Sequence, residues 1–134
     1  MATSKAQPWK PTTIRRFVKA IKSSACTALV ETDAGSGYLK ALGGPEGPHI
    51  LACEWVATHL AKWFGLSTFD CAIIEVAAQD EILFHNGSIA QVGPAFITRG
   101  ESGEPWSGKE KQLKRLINPQ DISRLVVFDT WTLN

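Results

Sequence analysis

The chain has 134 residues, which suits one domain with a modest core. Its 44% apolar and 20% charged residues exclude a disordered chain, and a formal charge of +1 gives no basis for general nucleic-acid or anionic-membrane binding. No apolar run approaches about 20 residues, so no membrane contact by a spanning helix is expected, and the start MATSKAQPWKPTT lacks the apolar core of a signal peptide.

Residues 1–12 read as a flexible tail, with Trp9 available to dock on the body. Ile14 to Ile21 reads as a first strand. Ser24 to Leu42 reads as a β-hairpin whose turn is DAGSG, Asp33 to Gly37, because glycine reaches positive φ freely. Lys40 sits near the far end of the returning strand. The three cysteines, Cys26, Cys53 and Cys71, are widely spaced in apolar contexts. They fit buried free thiols in a reducing cytoplasm rather than a metal site or a disulfide framework.

GGPEGP, Gly43 to Pro48, is a loop, and Pro48 suits the first turn of the helix that follows. That helix runs to about Phe64, with Gly65 as its left-handed cap. At about 100° per residue, Ile50, Cys53, Ala57, Leu60, Ala61 and Phe64 share one apolar stripe. Trp55 and Trp63 are expected to widen it, while Thr58, His59 and Lys62 face outward. His59 is open to a ligand or base role, but a solvent-facing position is the plainer reading. Glu54 lies at the edge of the stripe. A carboxylate there is costly to desolvate without a cation, and Lys40, fourteen residues earlier, is the nearest candidate. The pair is either structural or the lysine–glutamate pair that positions an ATP phosphate in kinase small lobes.

Cys71 to Val76 reads as a largely buried strand. A short strand near Ile82 to Phe84, an Asn86-Gly87 turn and a last strand at Ala95 to Thr98 follow, with Gly93-Pro94 breaking the chain before that last strand. Residues 99–108 form a linker or hinge. KEKQLKRLI then makes a short basic helix. Asn118 caps a final helix with Pro119 as its first residue. In that helix Ile122, Leu125, Val126, Asp129 and Leu133 share a face. The expected class is α+β: a mostly antiparallel sheet with one packed helix, followed by the first helices of a truncated helical lobe. The expected divisions are a tail at 1–12, a small lobe at 13–98, a hinge at 99–108 and the start of a large lobe at 109–134.

The run VETDAGSGYLKAL…ACEWVATHLAKWFGL, then GPAFITR, then DISRLVVFDTWTLN resembles the small lobe of HipA-like kinases, bacterial serine/threonine kinases related in fold to phosphatidylinositol kinases. Its most specific parts are the Asp33–Lys40 run, the A-x-E-W helix with its closing G-L, and F-D-x-W-x-x-N. The resemblance implies a cytoplasmic kinase that uses ATP and Mg²⁺. Lys40 would contact the α/β-phosphates, held by Glu54. Ser23, Ser24 and Ala25 would occupy the phosphate loop, which reads SSAC where kinases commonly use glycines. The main chain of Phe96, Ile97, Thr98 and Arg99 would grip adenine. In the family F-D-x-W-x-x-N leads into an N-x-D-R motif with the catalytic Asp, and a later Asp holds Mg²⁺. This sequence stops at the first Asn, so no catalytic or metal residue is assigned within it, and the chain alone is expected to be inactive. The alternative is a non-catalytic small lobe that regulates or complements a separate kinase large-lobe chain, in the manner of an antitoxin-like partner. On that alternative, Leu125, Val126, Phe128 and Trp131 are exposed.

Overall fold

Alternation of buried and open side chains builds the sheet of this α+β chain, seen in a computed structural model that describes residues 8–132. The strands are β1 (Ile14–Ala20), β2 (Ala28–Thr32), β3 (Gly35–Ala41), β4 (Cys71–Val76) and β5 (Gly93–Arg99). They form one antiparallel sheet in the order β1-β2-β3-β5-β4. The helices are α1 (His49–Trp63), α2 (Glu110–Leu113) and α3 (Asp121–Thr132), with a single 3-10 turn at Ala78–Asp80. Among the described residues no helix is long and apolar enough to cross a membrane. Residues 1–7 of the expected tail, and Leu133 and Asn134, lie outside the described residues.

The chain divides into two units. The first takes in the described residues up to Trp55 together with Phe69–Gly100. Its core lies on one face of the sheet, where Val30, Leu39, Ile74, Ala95 and Ile97 cluster with Ile82 and Phe84. Burying each such side chain contributes roughly 1.5–3 kcal/mol. The hairpin turn is tighter than expected. Thr32 pairs with Gly35, so only Asp33 and Ala34 form the loop, and Gly35 takes the positive φ of +100°. Gly37 is not in the turn. It sits inside β3, where a Cβ would come within 2.7 Å of Ile97 Cδ1, so packing rather than chain reversal demands glycine.

The same turn holds the segment before β1. Asp33 accepts hydrogen bonds from the hydroxyl and the N–H of Thr12 and from the N–H of Thr13. The Trp9 indole N–H donates to the Ala34 carbonyl at 2.9 Å. Thus Trp9 docks as expected, and the segment around it is strapped down rather than loose. Strand β1 lies at the sheet edge, with register shifts between Ile14 and Arg16 and between Phe17 and Lys19. Arg15, Arg16 and Lys19 are exposed along it.

Three further expectations are corrected here. Strand β4 is not largely buried: Ile74 and Val76 face the core, whereas Ile73 and Glu75 are open, the alternation of a one-sided strand. Near Ile82 to Phe84 there is only an isolated bridge, Leu83 to Ile89, around the Asn86-Gly87 turn. Gly87 there has φ +86°, and the Ser88 N–H donates to Asn86 Oδ1. Gly93-Pro94 opens β5 instead of breaking the chain before it, pairing with Val76 and Glu75. β3 pairs with β5 only from Ala95 onward, which leaves room for a residue without an N–H at the strand start.

Helix α1 ends as its sequence dictates. Gly65 has φ +86°, its N–H reaches the Lys62 carbonyl, and the Leu66 N–H reaches the Ala61 carbonyl, the paired bonds of a Schellman cap. The inward stripe is rotated from the expected one. Leu51, Glu54, Thr58 and Ala61 are withdrawn from water, while Cys53, Ala57, Trp55 and Trp63 are exposed. Small side chains at 53 and 57 carry too little apolar area to set the helix's rotation. Of the three thiols only Cys26 is buried.

The second unit takes in Val56–Thr68 and the described residues from Glu101 on. Phe64 and Phe128 pack with ring centroids 6.0 Å apart. Phe128 is therefore buried, not exposed, whereas Leu125, Val126 and Trp131 are open. The basic helix shrinks to the four residues of α2, all open or half-buried, since a helix this short finds little to pack against. The α3 helix starts at Asp121, two residues after Pro119. The Asn118 amide donates to the Asp121 carboxylate instead of capping N–H groups.

Candidate functional site

The centre of the site is an ion pair between a strand and a helix. Lys40 Nζ on β3 donates to Glu54 Oε1 on α1. The two side chains are 24% and 26% exposed, so each charge has lost most of its water. Sequence spacing pointed to this pair, and the structure brings it together. Pro48 opens the helix, and the Leu51 N–H returns to the Pro48 carbonyl, which fixes where α1 begins. That start places Glu54 on the inward stripe of α1 rather than at its margin.

Register then decides what shares the face with Lys40. Opposite residues of an antiparallel pair project to the same side. Lys40 pairs with Phe96, and Phe96 with Ile73. One step along, Leu29, Tyr38, Thr98 and Cys71 lie in a row. Phe96 is buried, while Leu29, Thr98 and Cys71 are half-buried and Tyr38 is open. The row continues across the edge strand to the exposed Lys19, opposite Leu29, so this face sets apolar and hydroxyl-bearing side chains between two lysines. Ile97 is on the other face, in the core. The main chain of Phe96, Ile97 and Thr98 is paired on both sides, to β3 and to β4. Of these three residues only Thr98 has a partly open side chain on this face.

The loop before β2 lies at the same end of the sheet as Lys40, because Ala28 is opposite Leu39. It is closed by its own bonds. The Ile21 N–H donates to the Thr27 carbonyl, and the Cys26 N–H to the Ser23 carbonyl. The Ser23 hydroxyl accepts from the Thr27 N–H at 3.1 Å and donates to Thr27 Oγ1 at 3.0 Å. Ser23 and Ser24 are exposed at its tip, and Cys26 and Thr27 are buried at its base. Ser23 thus shapes the loop through its side chain.

Lys40 offers an ammonium on this face, and Ser23 and Ser24 are exposed at the tip of the loop at the same end of the sheet. Among the described residues there is no group of three or more His, Cys, Asp or Glu side chains that could hold a metal ion. Sequence reasoning missed Leu29, Tyr38 and Cys71 on this face. Their even or odd distance from Lys40 along paired strands was the available signal, and it needs the register to be read.

Among known families, the one described as HipA-like kinase matches residues 29–134. No curated protein matches, and no solved structure matches. The matched span includes Lys40, Glu54, β5 and α3, and the five-stranded antiparallel sheet with its helix is a small-lobe-like fold.

Proposed function

We propose, for a chain that belongs to the HipA-like kinase family, that its sheet unit is the ATP-gripping small lobe of a kinase. The observation that carries this reading is the half-buried Lys40–Glu54 pair. A lysine held by a helix carboxylate is a fixed cation, and a fixed cation places phosphoryl oxygens without reorganising. The row of Leu29, Tyr38, Thr98 and Cys71 would lie against the base, and the tip at Ser23 and Ser24 would approach the phosphates.

Phosphoryl transfer then belongs to a longer or two-chain form. In the family the catalytic aspartate and the Mg²⁺-holding aspartate follow the F-D-x-W-x-x-N run, and Mg²⁺ would be seated there. The test is calorimetry with ATP and Mg²⁺ on this chain and on an extended form. Binding that Lys40→Ala removes supports the reading. Equal binding by wild type and Lys40→Ala refutes it.

A second reading is favoured by the open Leu125, Val126, Val127 and Trp131 on α3. On it, the chain is a non-catalytic small lobe that complements a separate kinase chain. Co-expression with a kinase large-lobe chain from the same genome, followed by size exclusion, tests this. Separate elution of the two chains counts against it.

A further inference from the structure

Cys26, at the base of the β1–β2 loop, is fixed in both backbone and side chain. It is 4% exposed and joins the core cluster of the sheet. Its φ is +49°, a left-handed conformation that a non-glycine residue keeps only where its surroundings over-determine it. What it packs beside is informative. A Cβ built on Gly44 would lie 3.5 Å from Cys26 Cβ and 3.9 Å from Cys26 Sγ. Gly44 belongs to the segment that leads from Lys40 on β3 to Glu54 on α1.

That segment is itself pinned. The Gln91 N–H donates to the Leu42 carbonyl at 2.9 Å. A Cβ at Gly43 would come within 3.0 Å of the Ile89 carbonyl oxygen, and φ there is +100°. So Cys26 rests on a part of the chain that has little freedom to move.

We infer that Cys26 is a positioning residue: by packing on Gly44 it joins the loop bearing Ser23 and Ser24 to the connection between Lys40 and Glu54. The loop tip and the ion pair are then held at a fixed spacing, as two phosphate-facing elements must be to act on one ligand. The inference rests on the small-lobe reading for its ligand, but the joint itself is a property of the free chain. It also accounts for a phosphate-loop position without glycines. The loop is set by a buried anchor at its base instead of by flexible residues at its tip.

The experiment has two arms. Amide exchange is followed at Ser24, Ala25 and Gly44, with Leu39 as a reference inside β3. Affinity is measured for ATP and for adenosine, which lacks the phosphates. Cys26→Ala should speed exchange at the three loop amides by about tenfold and leave Leu39 unchanged. It should weaken ATP by about fivefold and leave adenosine unchanged. Adding Gly44→Ala, which returns a methyl to the vacated space, should recover part of both effects. Should Cys26→Ala fold poorly, Gly44→Val crowds the same contact from the other side and should give the same pattern. Unchanged loop exchange overturns the inference, as does a parallel loss of ATP and adenosine. If neither this chain nor an extended form binds ATP, the small-lobe reading falls, and the exchange arm by itself decides whether the joint exists.

Discussion

Lys40 and Glu54, fourteen residues apart, meet as an ion pair with three-quarters of each side chain withdrawn from water. Such a pair lies between an exposed one, worth about 0–1 kcal/mol, and a buried one, whose breakage costs about 3–5 kcal/mol. Lys40→Ala and Glu54→Ala should each lower stability by about 1 kcal/mol in urea titrations and weaken ATP by at least about tenfold in calorimetry. The double variant should lose little more than either single one, because both remove the same interaction.

Asp33 links the hairpin turn to the segment before β1, and its carboxyl is held at about 2, below the usual 3.8, chiefly by the Thr12 hydroxyl and then by the Thr12 and Thr13 N–H groups. A folded-state value below the unfolded one contributes stability that is complete above pH 3.8 and is lost as pH falls toward about 2. The melting temperature of wild type should therefore exceed that of Asp33→Ala by its largest margin above about pH 4, and the margin should close toward about pH 2. A margin that stays constant across that window would contradict the assignment.

Gly37 faces the Ile97 side chain with no room for a methyl group. Ile97 is fully buried, so it has nowhere to give. Gly37→Ala should cost about 1–3 kcal/mol in chemical denaturation by overpacking. Gly35→Ala, where nothing lies within 4 Å, should cost about 1 kcal/mol through its positive φ alone.

Phe128 is buried against Phe64 in the second unit. Phe128→Ala should destabilise the helical signal in far-ultraviolet circular dichroism by about 3 kcal/mol. Trp131→Ala, on an open side chain, should stay within about 0.5 kcal/mol.

The bounds of β1 and β4 and the Gly65 cap were legible, but not the way the strands bury: β1 has no regular alternation, and the one-sided burial of β4 was read as burial on both faces. The hairpin turn was not legible either, since DAGSG offers two glycines and only the pairing of Thr32 with Gly35 says which one turns the chain. Gly37 looks like turn chemistry until Ile97, sixty residues away in sequence, is seen beneath it. The α1 stripe was misread because Cys53 and Ala57 are apolar but small, whereas Thr58 faces inward. The ion pair was legible from spacing, but the row of Leu29, Tyr38, Thr98 and Cys71 was not. It exists only when four strands are set in register.

The edge strand β1 has one more consequence. Its two register shifts and its exposed Arg15, Arg16 and Lys19 break the flat ladder that a foreign strand would need as a template. Substituting the three cations with threonine would leave the core untouched yet remove much of the charge that keeps copies from stacking edge to edge. Such a variant should scatter light on standing at concentrations where wild type stays clear.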